Sequence, residues 1–280
     1  MLRSSKECRV DISLFTVFQF VLIGVITGFL GGFLGIGGGA VMIALLHYWV
    51  FPSLGVSPKI LMHLCFGTTL AIIVPSSLAG SLAQARIGNV NWRLASLLTL
   101  PGILCSFLGT TIAAYLPSHA LRPLFGILLL LISAQMFSQR KDPGGTTGGP
   151  FPKSSAVVAV GAVVGLFSGL FGLGGGVIGI PLMLKILRLP IHQAVGNSIA
   201  LVLFTSLVGT AGYIFNGWGD PNLPPHSLGY VHLPGWILAG LPSIPFSSLG
   251  VRLARRTKPA GLRRVFALVL GAVGLRMVLS

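Results

Sequence analysis

The sequence predicts an all-α integral membrane protein made of two inverted-topology repeats of about five apolar segments each, with 8 to 10 transmembrane helices, some short or broken. Three observations carry this: an apolar composition, an internal duplication and the sidedness of the basic residues. Of 280 residues, 53% are hydrophobic and 8% charged, and the mean hydropathy is +0.91. A soluble domain needs a surface that is about 25 to 35% charged. Four acids in the whole chain rule out that surface and the soluble enzyme classes with it. The net charge of +15 would suit nucleic acid, but the Lys and Arg lie mostly in short connectors, as in cytoplasmic loops, so no nucleic-acid partner is expected. Cys8, Cys65 and Cys105 make no disulfide framework or metal motif. The basic lead MLRSSKECRVDIS, without a small-residue cleavage site after it, reads as preceding a retained first helix.

The duplication is carried by glycine. Residues 24–41 align without gaps on 161–178, and every identical position is a glycine: Gly24, Gly28, Gly32, Gly35, Gly37, Gly38 and Gly39 against Gly161, Gly165, Gly169, Gly172, Gly174, Gly175 and Gly176. Chance pairing of two glycines is expected at roughly one position in fifty, so seven in one window mean duplication. Residues 62–80 then match 191–209, and Pro101 and Gly109 match Pro242 and Gly250. The first repeat spans 1–139 and the second 154–280. The stretch 140–153, rich in glycine and proline without an apolar period, reads as a flexible linker.

Within the first repeat the apolar segments fall at about 14–34, 37–51, 63–84, 93–116 and 120–138. The second repeats them at about 155–172, 174–187, 194–216, 230–253 and 262–279. Eight of the ten reach the roughly 18 to 20 residues that span a bilayer. The second segment of each repeat is short, suiting a half-helix or a re-entrant arm. If all five segments cross and the N-terminus is outside, the inner connectors gather Arg86, Arg93, Arg140, Lys141, Lys153, Lys185, Arg188, Arg252, Arg255, Arg256, Lys258, Arg263 and Arg264. Only Arg3, Lys6, Arg9, Lys59, Arg122 and Arg276 then lie outside, a clear positive-inside bias that four crossings per repeat would erase. An odd number of crossings turns the second copy over, the plan of many secondary transporters.

The glycine triplets Gly37-Gly38-Gly39 and Gly174-Gly175-Gly176 are the first candidate site. Each glycine costs a helix about 1 kcal/mol against alanine, and irregular backbone at membrane depth is tolerated only inside protein or against a wet cavity. A helix broken there and restarting near Ala40 would aim free amides at the break, a backbone-built anion site. Close helix packing is the other reading, and for Gly24, Gly28 and Gly32, four apart on one face, it is the stronger one. The second constellation is Gly67-Thr68-Thr69 with its counterpart Gly196-Asn197-Ser198. These are neutral hydrogen-bonding groups that can hold an oxyanion or, equally, cap a helix. Ser76 and Ser77, aligned with Thr205 and Ser206, can line a path or bond back to their own helix.

Glu7, Asp11, Asp142 and Asp220 all fall in tails or connectors, so no relay built on a membrane carboxylate is expected. His63 and His192 hold equivalent positions and can carry a proton, meet an anion or simply sit at a segment end. Neither has a second ligand at helical spacing, so neither a metal nor a cofactor is expected. Tyr48, Trp49, Trp92 and Trp218 fall at segment ends as interfacial anchors.

The paired motifs GFLGIGGG and GLFGLGGG, then GTT and GNS, resemble the sulfite exporter TauE/SafE family of membrane transporters. That family has a duplicated unit with a GxxGxGGG-type stretch early in each half and a short Gly-Thr-Ser-like motif near the start of a later helix. The resemblance covers both halves. It implies a secondary transporter in the cell membrane for small sulfur-containing or organic anions such as sulfite, sulfonates or sulfoacetate. Gly-Thr-Thr and Gly-Asn-Ser depart from the family's pattern. A passive anion channel would use the same positive helix ends, and a scaffold or receptor bundle would keep the packing glycines without a wet cavity. The expected partners are a small anionic substrate and the lipid bilayer, and nothing in the sequence sets an oligomeric state. Five crossings per repeat predict that reporter fusions at Ser154 and Ser280 report opposite sides, and fusions reporting the same side would overturn the arrangement.

Overall fold

A computed structural model describes residues 14–34, 38–138, 152–254 and 259–279. The expected linker therefore lies, apart from its last two residues, outside the described residues, as does Gly37. Among the described residues ten helices follow in chain order, one for each apolar segment. They are α1 (Leu14–Leu34), α2 (Gly39–Ser53), α3 (Leu61–Arg86), α4 (Trp92–Tyr115), α5 (Ser118–Ser138), α6 (Ser154–Phe171), α7 (Gly176–Lys185), α8 (Ile191–Asn216), α9 (Leu233–Ala254) and α10 (Pro259–Leu279). A two-stranded hairpin, β1 (Ser227–Leu228) and β2 (Val231–His232), precedes α9. Helices α1, α3, α4, α5, α6 and α8 are long and apolar enough to cross a membrane, and α9 and α10 match them in length. Helices α2 and α7 are short, and α2 widens to a π-helical stretch at Leu46–Val50.

Local chemistry sets the ends. The Asn91 side chain accepts from the Leu94 amide and caps α4. Gly172, at φ +64°, ends α6 in the left-handed conformation that glycine adopts without strain. The faces left outside are apolar, with Leu100, Leu104 and Leu108 of α4 and Leu131 of α5 all exposed, which suits lipid.

Small residues fix the packing. Gly24, Gly28 and Gly32 of α1 lie against Ala239, Ser243 and Ser247 of α9, so these two helices run parallel. Gly161, Gly165 and Gly169 of α6 lie in the same way against Leu98, Gly102 and Ser106 of α4. In each pair the register advances by four, and a Cβ on any of these glycines would overlap the facing backbone. The packing reading of Gly24, Gly28 and Gly32 is what the structure shows. Helices α3 and α8 run antiparallel through the centre, with Gly67 at Tyr213, Leu70 at Gly209 and Gly80 at Ile199. Helices α5 and α10 are also antiparallel, joined where the Ser133 hydroxyl donates to the Ala267 carbonyl at 2.7 Å. Exchanging the first five helices with the last five maps each of these contacts onto another: α1–α9 becomes α6–α4, while α3–α8 and α5–α10 become themselves.

Burial at the centre is close to complete. Phe66 of α3, Phe125 of α5, Phe171 of α6 and Tyr213 of α8 form an aromatic cluster. The Tyr213 hydroxyl donates to the Gly169 carbonyl at 3.0 Å. The last turn of α6 has carbonyls without intrahelical donors, so the phenol and the helix end satisfy one another.

Alanine at Gly24 or Gly165 should force the paired helices apart and lower stability by about 1 to 3 kcal/mol, read as a fall in melting temperature of the detergent-purified protein. Alanine at Gly240, whose added methyl would meet Pro75 at an ordinary 3.4 Å, should melt near wild type.

Candidate functional site

The glycine runs are helix breaks inside the protein. Gly38 has φ +66° and packs against the Thr27 carbonyl, so the chain past α1 has folded back along it before α2 begins. In the other half Gly172, Gly174 and Gly175 all have positive φ, and Gly175 packs against Val164 of α6. The first amides of a helix have no intrahelical acceptor and carry its partial positive charge. Gly38 and Gly175, the residues preceding α2 and α7, have no side chain to cap those amides.

The two breaks lie close together. A Cβ on Gly39 would lie 2.9 Å from the Leu173 carbonyl oxygen and 3.0 Å from Ile73. One on Gly174 would meet Val202, Ile73 and the Ser206 hydroxyl at 3.1 to 3.2 Å. The structure thus brings Gly38 and Gly39 together with Gly174, Gly175 and Gly176, where α3 crosses α8.

The polar motifs divide into two kinds of residue. Thr68 Oγ1 accepts from the His232 amide at 3.0 Å. Asn197 Oδ1 accepts from the Asn91 amide at 3.1 Å, while its Nδ2 donates to the Gln193 carbonyl at 2.7 Å. Asn91 and His232 stand apart by the same interval as Pro101 and Pro242, so these are one contact made twice. Each fastens the start of α3 or α8 to the start of α9 or α4. The antiparallel register sets Thr68 and Asn197 roughly 20 Å apart along the central pair, one on each side of the crossing. They do not join the glycines in one cluster.

Their neighbours differ. Thr69 and Ser198 are fully buried, and their hydroxyls have no partner. Ser198 Oγ lies 3.2 Å from where a Cβ on Gly179 of α7 would be. The Ser206 hydroxyl beside Gly174 is also buried without a partner. Unpaired buried polar groups are costly; Ser206 stands at the crossing beside Gly174, with Thr69 and Ser198 to either side of it along the central pair. By contrast Ser76 and Ser77 bond back to the Ile73 and Val74 carbonyls. A narrow crevice lined by Gly31, Ser76, Ser77, Ile199, Val202 and Ser247 reaches toward the crossing, with room for about one water.

A second repeated contact was not found in the sequence. Ser106 Oγ donates to the Thr205 carbonyl, and Ser247 Oγ to the Ser76 carbonyl, both at 2.8 Å. The interval that pairs Pro101 with Pro242 also pairs these serines, so extending the alignment would have picked them out.

The hairpin face holds a further polar group of residues. Lys59, His63, Tyr115, Asp220, Asn222 and Tyr230 line one cavity at the start of α3. Partial desolvation pushes the Asp220 carboxyl up. Hydrogen bonds from the Asn222 amide and side chain and from the Tyr230 hydroxyl, with the charge of His63, outweigh it and hold the group below the usual carboxylate value. Burial, then the Asp220 bond and charge, push the Tyr230 hydroxyl up to about 12. The equivalent histidines have parted: His63 is buried and His192 exposed. Trp92 and Trp218 are exposed beside helix ends, and the Arg276 guanidinium covers the Tyr48 ring at 4.1 Å.

Long apolar helices around an enclosed centre define a multi-pass integral membrane protein of the cell membrane. The family model described as sulfite exporter TauE/SafE matches residues 20–277, and the chain belongs to that family, whose members are membrane transporters. It is 30% identical over 260 residues to a probable membrane transporter protein of Haemophilus influenzae, covering 93% of this chain and 97% of the relative. A probable membrane transporter protein of Methanocaldococcus jannaschii is 29% identical, with 92% and 94% covered. The probable membrane transporter protein YunE of Bacillus subtilis is 24% identical, with 70% and 78% covered. No solved structure matches the chain.

Thr68→Val would leave the buried amide of His232 without its acceptor, and Asn197→Leu the part-buried amide of Asn91. Each should lower stability by about 1 to 3 kcal/mol, measured by thermal unfolding in detergent without any substrate present.

Proposed function

We propose that the protein is a secondary transporter that moves a small anion, sulfite, a sulfonate or a related organic anion, across the membrane by alternating access. The observation that carries this is the closeness of two uncapped helix starts, at Gly39 and Gly176, inside the protein. Their amides are fixed donors for an anion and need no charged side chain. The site comprises the Gly37-Gly38-Gly39 and Gly174-Gly175-Gly176 runs with the unpartnered hydroxyl of Ser206, and those of Thr69 and Ser198 stand on its two approaches. Thr68 and Asn197 hold the flanking helices in place. Among the described residues the one acid, Asp220, lies in a connector, which favours an anion over a cation as cargo.

The parallel pairs α1–α9 and α4–α6, with antiparallel α3–α8 and α5–α10, support two repeats of opposite topology, 1–139 and 154–280, joined by the linker 140–153. These directions follow when every one of the ten helices, the short α2 and α7 included, carries the chain toward the other face. The two glycine-packed pairs, too close to slide, are the rigid bodies that rock about α3 and α8. The reading assigns no catalytic residue.

Proteoliposomes loaded with labelled sulfite, sulfonates and carboxylates test it. Saturable uptake and counterflow of an anion are expected from wild type, with none from a properly inserted Gly38→Val. Ser206→Ala should weaken anion binding by about 1.5 to 3 kcal/mol with little change in melting temperature. Flux without saturation or counterflow would make the protein a channel. Wild-type transport by both Gly38→Val and Ser206→Ala would put the site elsewhere.

A further inference from the structure

We propose, resting on the transport reading above, that His63 is a proton-binding site completed by Asp220 and Tyr230, and that the proton it takes up accompanies the anion. The hydrogen-bond geometry of the ring points to it. His63 Nε2 lies 3.0 Å from the Ala113 carbonyl oxygen and 3.1 Å from that of Leu116. Both are acceptors, so Nε2 carries a proton. His63 Nδ1 lies 3.1 Å from Ser118 Oγ, and that hydroxyl donates to the Lys59 carbonyl at 2.6 Å. Serine has one proton to give. In the neutral ring Nδ1 and the Lys59 carbonyl compete for it. In the imidazolium Nδ1–H donates to Ser118 Oγ, which donates to Lys59, and every atom has a partner.

The surroundings add to this. The Tyr230 ring covers the imidazole with centroids 5.1 Å apart and planes 30° from parallel, an arrangement that attracts a cationic ring. The Tyr230 hydroxyl donates to Asp220 Oδ2 at 3.0 Å, so a carboxylate stands behind the same tyrosine. Of the titratable groups lining the shared cavity, Asp220 favours the proton, Lys59 opposes it and Tyr115 and Tyr230 are neutral. Burial of the ring opposes it as well. The open, polar-lined cavity gives the proton its route.

The position ties the proton to the anion site. One turn along α3 from His63 the Tyr230 carbonyl packs on Gly67, and the His232 amide, two residues past Tyr230, donates to Thr68 Oγ1. Thr69 follows directly. A change of charge at His63 acts on Tyr230 and so on the strand that holds the start of α9. Among the described residues the other half has no such site. There the connector 87–91 is five residues long and His192 is exposed, whereas the hairpin connector carries Asp220 and Tyr230.

The test follows the ring nitrogens of isotope-labelled histidine in the purified full-length protein against pH, with His63→Gln identifying the signal. His63 should gain its second proton as the pH is lowered through the range in which the protein stays folded. Asp220→Asn should weaken that binding about tenfold, and the milder Tyr230→Phe should shift it in the same direction. In proteoliposomes a pH gradient should drive accumulation of labelled sulfite or sulfonate by wild type, and His63→Gln should lose that dependence. A ring that keeps one protonation state across this range, a titration unmoved by Asp220→Asn, or anion accumulation indifferent to the gradient overturns the proposal. If the Asp220-dependent titration is found while no anion moves, the proton site stands and the transport reading fails.

Discussion

A broken helix in a lipid environment exposes amides and carbonyls that have no water to turn to, and the whole molecule is organised around enclosing two such breaks. Gly38 and the Gly172–Gly175 run cannot face lipid, so α1 and α6 fold back into α2 and α7 at the centre. Helices α3 and α8 then close over the breaks, with Ile73 and Val202 packed on the glycines themselves. The close glycine pairs follow from this demand. A seal around a polar centre needs helices near enough to exclude lipid tails, and α1 on α9 and α6 on α4 reach backbone contact.

Glycine, which in a helix interior is a cost, was for the same reason the clearest signal in the sequence. Seven glycine positions marked the duplication. Among the described residues Gly24, Gly28 and Gly32 with Gly161, Gly165 and Gly169 mark the packing faces by close approach, and Gly38 with Gly172, Gly174 and Gly175 the breaks by positive φ. The apolar segments located the helices because membrane helices must be long and continuous. Less legible was the division of labour inside the polar motifs. Thr68 and Thr69 are adjacent and of one type, yet one bonds to the His232 amide and the other is left without a partner. That distinction depends on which way α9 enters beside α3, which residue type does not encode. The Asn197 amide has two hydrogens that an anion could use, but one of them goes to Gln193 and its oxygen accepts from Asn91. Ser106 and Ser247 were within reach of an alignment, since the interval between Pro101 and Pro242 already pairs them.

The two sides of the molecule are alike in packing and unlike in chemistry. Asn89 on one side and Tyr230 on the other press a carbonyl against Gly196 and Gly67, so the scaffold of the two connectors is the same. The longer connector adds Asp220, Asn222 and a short hairpin around a buried histidine. Two equal halves would bind an anion equally from either side. The added residues break that equality on one face.

The parallel pairing of α1 with α9 also bears on how the chain is made. The glycine face of α1 enters the membrane first, and its partner is synthesised some 210 residues later, a wait of roughly 10 to 40 seconds at ordinary rates of elongation. Helix α6 has no such delay, because α4 is already in place. The first part of the chain is thus the one left incomplete, its backbone-deep groove open to lipid or to stray helices until translation is nearly over. The assembly closes from its end toward its beginning, and a chain that stops before α9 leaves the first break unsealed.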